Sequence, residues 1–202
     1  MKTLLKGAQV FRDKQFSQLD ILIDDGRVVA VSPEISTDDI DGPVLYLDHF
    51  FVFPAFADIH VHLREPGYSY KATIETETRA ALKGGFTTLV SMPNLNPPPD
   101  SLENLQKQLD IIEQDAQCDV LPLACITQTQ KGEALAEMEE MAPYVVGYSD
   151  DGWGVQNNQL MREGFLEAKR LGKPIVSHCE VEELVRGGVI HDGDYAREQG
   201  DK

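Results

Sequence analysis

Cysteine is scarce in this sequence: Cys118, Cys125 and Cys179 are three in number and include no C-x-x-C pair. That pattern excludes a disulfide framework and a cysteine zinc knuckle, and it fits a reducing cytoplasm. Basic residues are also few. The 18 Lys plus Arg stand against 34 Asp plus Glu, and the net charge of −16 speaks against nucleic acid or an anionic membrane surface as partner. No apolar run approaches the ~18 residues of a membrane span, and Lys6 interrupts the N-terminal Met1-Lys2-Thr3-Leu4-Leu5 before a signal-peptide core develops. A soluble, unexported, cytoplasmic protein is expected. Internal repeats and low-complexity tracts are lacking, as is a Gly-x-Gly-x-x-Gly phosphate-binding turn after the first strand of the α/β portion.

What is present is enough apolar side chain, 42% of 202 residues, to bury a core. Residues 1–53 read as part of a small β module, with strands over 4–11, 19–23 and 28–31 and an Asp24-Asp25-Gly26 hairpin turn. From residue 56 the pattern changes to strands (56–62, 86–92, 119–126, 144–149, 174–179) alternating with helices (about 71–84, 101–116, 132–141, 158–171). Gly84-Gly85 and Gly172 supply left-handed helix ends, and Asp100-Ser101 with Glu103 and Asn104 supplies a helix start. This order implies a parallel sheet. An open doubly wound sheet satisfies the same alternation. The missing glycine fingerprint and the polar residues at successive strand ends favour a (β/α)8 TIM-type barrel, with its first five strand-helix units in residues 54–202. Val181 to Lys202 is polar and adds no closing element.

The richest segment is Asp58-Ile59-His60-Val61-His62-Leu63-Arg64-Glu65-Pro66-Gly67. Alternate side chains of a strand share one face, which would align Asp58, His60, His62 and Arg64. The two histidine Cα atoms would stand roughly 7 Å apart, within reach of one metal ion. An apolar lead-in from Phe50 to Phe56 and the Glu65-Pro66-Gly67 turn put them at a strand's carboxyl end, where α/β barrels keep their chemistry.

Other strand ends carry polar residues that also have plain structural readings. His178 ends an apolar strand and by itself reads as a hydrogen-bonded core residue. Asp150-Asp151 in Tyr148-Ser149-Asp150-Asp151-Gly152 reads as a turn, and Asn94 belongs to a proline-rich loop. Joined to His60 and His62 on one face, these residues would add a hard carboxylate between nitrogen ligands. A carboxylate can bridge two divalent cations, which points to a binuclear hydrolytic site.

The segments DIHVHLREPG, ETETRAALKGGFTTLVSMPNLNPPPD, SDDG and SHCE, in this order and spacing, resemble the bacterial type I dihydroorotases of the amidohydrolase superfamily, over nearly all of the chain. The resemblance implies a (β/α)8 barrel beside a small β-sandwich. It also implies hydrolysis of a cyclic amide by a metal-bound hydroxide, interconverting N-carbamoyl-L-aspartate and dihydroorotate in pyrimidine biosynthesis. The implied metal ligands are His60, His62, Asp151 and His178, holding zinc as two ions with Asp151 bridging. Arg64 and Asn94 are implied to hold the substrate carboxylate. The family's general-base aspartate and a sixth-strand histidine would lie beyond Lys202, so no catalytic base is expected within these residues and the chain alone is expected to be inactive. A homodimer, or association with another enzyme of pyrimidine synthesis, is the implied assembly. Ala55, Glu77 and Leu95 depart from the residues usual at those positions without removing a ligand.

Two other readings compete with this one. A non-catalytic amidohydrolase-like chain serving as scaffold or assembly subunit would retain the first half of the barrel without its chemistry. Within the superfamily, dihydropyrimidinase-like or allantoinase-like hydrolases act on rings without a carboxylate, and they usually lack both the arginine at position 64 and the aspartate at the fourth strand.

Overall fold

The computed structural model describes residues 1–185 and 187–200, and the chain divides into two compact units, Met1–Ala55 and Phe56–Lys202. Alternating apolar residues fold the first unit into a sheet of order β3-β2-β1-β4, built from β1 (Lys2–Arg12), β2 (Gln15–Asp24), β3 (Arg27–Ser32) and β4 (Val44–Tyr46). A short β5 (Phe51–Val52) also pairs with β1. The first three strands form an antiparallel meander, while β4 and β5 run parallel to β1. Asp25 and Gly26 adopt φ of 45° and 74°, the mirror-image turn that an Asp-Gly step favours. The turn joining β1 to β2 uses Asp13 and Lys14 at φ 52° and 64°, with no glycine to signal it. Ala8, Val10 and Ile21 form the apolar centre of this unit.

The second unit is a parallel sheet of order β6-β7-β8-β9: β6 (Phe56–Val61), β7 (Phe86–Ser91), β8 (Asp119–Ala124) and β9 (Gly147–Tyr148). Helices α1 (Ile74–Lys83), α2 (Leu102–Asp115), α3 (Met138–Met141) and α4 (Asn158–Arg170) follow these strands in turn, an α/β arrangement. The helix starts are chemically marked. Thr73 accepts from the Thr76 amide and Thr76 returns the contact, Ser101 accepts from the Asn104 amide, and Asn157 accepts from Gln159 and Leu160. After α1, Gly84 keeps helical φ and Gly85 takes the left-handed conformation at φ 86°. Buried polar groups tie the layers together: Gln108 on α2 donates to Ser91 Oγ at 3.1 Å, and Thr78 Oγ1 on α1 accepts from the Gln117 amide at 3.0 Å.

Two expectations from the sequence are corrected. The helix expected over 132–141 is confined to α3, because residues 125–136 double back on themselves. Thr127 bridges Leu135, Gln128 donates to Ala134 O, and Ala136 donates to Ile126 O. This tertiary pairing, with Thr129 and Gln130 at positive φ, overrides the helix propensity of Ala, Leu and Glu. The strand expected over 174–179 is reduced to one parallel bridge, Tyr148 to Ile175, flanked by hydrogen bonds from Tyr148 N to Pro174 O and from Val176 N to Tyr148 O. Beyond it lie two short helices, α5 (Glu182–Val185) and α6 (Asp194–Gln199); of the stretch to Lys202 that reads as polar, Arg186, Asp201 and Lys202 lie outside the described residues. Among the described residues no helix is long and apolar enough to cross a membrane.

Candidate metal centre

The carboxyl end of β6 delivers His60 from within the strand and His62 just beyond it, with the Met92 amide donating to Val61 O at 2.9 Å to hold that end. The loop after β9 delivers Asp151, which is 7% exposed. The segment past Ile175 delivers His178. One carboxylate faces all three rings: Asp151 Oδ1 lies 3.5 Å from His60 Nε2 and 3.4 Å from His178 Nδ1, and Oδ2 lies 3.6 Å from His62 Nε2. The ligand-capable atoms of His60, His62 and Asp151 lie within 4.8 Å of one another.

These separations exceed the 2.7–3.2 Å of an ordinary N–H···O bond. They match the roughly 3.4 Å between two atoms each ~2.1 Å from a tetrahedrally held ion. Imidazole nitrogens around a buried carboxylate are also the donor chemistry that zinc accepts. The residues therefore fit a divalent cation.

Asp150 turns the other way. Its Oδ1 accepts from the Ile126 and Thr127 amides at 2.8 and 3.1 Å, and its Oδ2 accepts from the Thr127 hydroxyl. Burial pushes its carboxyl above the ordinary value, against the pull of the Thr127 and Ile126 hydrogen bonds. Gln130 Nε2 lies 3.4 Å from Asp151 O, and the Asp150 carbonyl accepts from Trp153 and Gly154. The doubled-back 125–136 segment thus clamps the peptide that carries Asp151. The double aspartate signals carboxylates at this strand end, but its residue types alone do not separate the clamping one from the one facing the histidines. Nothing in the sequence marks Thr127 or Gln130.

Asn94 joins the cluster through His62, with Oδ1 2.9 Å from Nδ1. Two members of the expected alternate face do not join it. Asp58 turns back to accept from the His60 amide at 3.0 Å. Arg64 lies past the end of β6 at φ 70°, so strand alternation does not reach it. Arg64 is half-buried, and its guanidinium makes no ion pair or hydrogen bond among the described residues. Its loop is anchored by backbone: Tyr68 donates to Arg64 O at 2.9 Å and Asn96 to Pro66 O at 3.2 Å. At Gly67, φ 96°, a Cβ would lie 2.2 Å from Asn96 O, so only glycine allows this approach of the Arg64 loop to the loop bearing Asn94. Glu65 accepts from the Ile74 amide at 2.7 Å and caps α1.

Residues 50–202 match the model of a family described as dihydro-orotase-like. The chain is 44% identical over 199 residues to a dihydroorotase from Fusobacterium nucleatum and 43% identical over 203 residues to one from Staphylococcus aureus, with 98% of this chain aligned in each case. It spans 46% of either relative, about half their length. Among solved structures, L-hydantoinase (dihydropyrimidinase) from Arthrobacter aurescens superposes with TM-score 0.79 at 23% identity, covering 92% of this chain and 42% of that one. A dihydroorotase crystal structure superposes with TM-score 0.57 at 18% identity, covering 86% and 50%. At such identities these superpositions speak to the fold alone, whereas the family match covers most of the sequence and contains the residues of the cluster. The chain belongs to the dihydro-orotase-like family.

Proposed function

We propose that this chain is the N-terminal half of a cyclic amidohydrolase that interconverts N-carbamoyl-L-aspartate and dihydroorotate. Residues 1–53 would form part of its β module, and residues 54–202 the first five strand-helix units of its (β/α)8 barrel. The observation that carries this reading is the convergence of His60, His62 and His178 on the single carboxylate of Asp151.

In this reading His60, His62, Asp151 and His178 would hold zinc. Zinc supplies Lewis acidity, lowering the pKa of water to about 7 and polarising an amide carbonyl. The chain's own residues bind and orient the substrate. The Arg64 guanidinium, without an internal partner among the described residues, matches a planar carboxylate bidentately. Asn94 would add an amide N–H to the same carboxylate. The proton-transferring aspartate implied by the resemblance lies outside these 202 residues.

Metal analysis of the purified chain, followed by a dihydroorotate turnover assay with and without a polypeptide covering the family's remaining strands, tests this. Zinc retention with turnover on mixing is the expected result. A chain that retains no zinc, or a zinc-loaded mixture that leaves dihydroorotate untouched, would overturn the reading.

A further inference from the structure

We infer that Asn94 is a positioning residue for His62, selecting the ring tautomer that turns a lone pair toward Asp151; this rests on the metal-centre reading above. A neutral imidazole carries one ring proton, and only its other nitrogen can bind a metal. His62 presents Nε2 to Asp151 Oδ2 at 3.6 Å and Nδ1 to Asn94 Oδ1 at 2.9 Å. A carbonyl oxygen only accepts, so the contact places the proton on Nδ1 and leaves the Nε2 lone pair facing the carboxylate. Asn94 comes from the loop after β7 and His62 from the end of β6, 32 residues away. The two strand ends therefore hold the ring between them.

The other two rings lack such a partner. His178 Nε2 stands 3.5 Å from Glu180 Oε2, too far for a hydrogen bond, and the His60 ring makes no hydrogen bond among the described residues. With Oδ1 committed to His62, the Asn94 amide is oriented so that Nδ2 is the end left for an anion. One side chain then sets both the metal ligand and the substrate anchor.

Two measurements test the inference. Zinc affinity, read by competition with a chromogenic chelator using zinc alone, should fall 10- to 100-fold in Asn94→Leu and stay within a few-fold of the unaltered chain in Asn94→Asp, which keeps an acceptor at that place. Long-range 15N–1H correlation on the unaltered, metal-free chain should show His62 with its proton on Nδ1. Undiminished zinc affinity in Asn94→Leu, equal loss in both variants, or an Nε2–H ring in the spectrum would overturn it. If Asn94→Leu fails to fold, the spectrum still decides. Failure of the unaltered chain to bind zinc would overturn the metal-centre reading, and the ring spectrum would judge the Asn94 contact separately.

Discussion

Asp150 and Asp151 share a peptide bond yet face different surroundings, because Asp150 is held by the 125–136 segment while Asp151 turns to the histidines. Asp150 meets two buried amides and a hydroxyl, and Asp151 meets three imidazoles. Asp150→Asn would keep an acceptor for the two amides but replace the acceptor of the buried Thr127 hydroxyl proton with an NH2. Leaving a buried donor unsatisfied costs about 1–3 kcal/mol, so the urea midpoint should fall by a corresponding amount. Asp151→Asn should leave the midpoint of the metal-free chain nearly unchanged while zinc uptake drops. Identical profiles for the two variants in unfolding and zinc titration would erase the distinction. A guanidinium has no lone pair for a metal, so in the proposed function Arg64 would serve only the substrate anion. Arg64→Ala should keep zinc content and lose on the order of 1.5–3 kcal/mol of substrate interaction, tenfold or more in kcat/KM, when assayed with the remaining strands supplied.

At the scale of elements, the loops hold the site through backbone contacts. Gly67→Ala would force a Cβ into the Asn96 carbonyl at a φ that alanine disfavours, which should lower stability by about 1–3 kcal/mol in thermal melts. The β module is held by a partly buried ion pair. Asp20, 3% exposed, accepts from Lys6 Nζ and from the Gly7 and Ile35 amides, each at 2.9 Å. Burial alone would raise its carboxyl; the Lys6 ammonium and the two amides outweigh that and hold it below the ordinary value of 3.8. A depressed carboxylate contributes stability that is fully present above the unfolded value, near pH 4, and is lost as pH falls through the folded value. Asp20→Asn should therefore be less stable than the unaltered chain at pH 7, with the gap narrowing as pH falls below about 4. A gap independent of pH in denaturant titrations would refute this role for Asp20.

On the scale of the whole molecule, β6 stands at one edge of the parallel sheet with Ile59 exposed, and the chain spans 46% of its dihydroorotase relatives. A barrel core is packed by all eight strands, and general acid–base assistance contributes roughly 10² to 10⁴ in rate. The zinc-loaded chain alone should turn over dihydroorotate at least that much more slowly than the mixture with a complementary polypeptide. Comparable rates with and without the complement would show that these residues already contain all the catalytic groups needed.

Much of this was legible in the sequence because it is local. The strand-helix alternation, the helix start at Asp100-Ser101, and the His-x-His at the end of β6 follow from period and residue type over a few positions. What the sequence could not decide depends on partners far along the chain. The 125–136 segment carries helix-forming residues, yet pairing across its own turn and the clamp from Asp150, more than twenty residues away, decide its path. The strand expected at 174–179 shrinks to one bridge because a strand is defined by its neighbour, and among the described residues only Tyr148 of β9 bridges it. Strand alternation suggested Arg64 beside the histidines, but the backbone leaves the strand before it. The contact between Asn94 and His62 joins two strand ends, and only the parallel pairing of β6 with β7 brings them within hydrogen-bond reach.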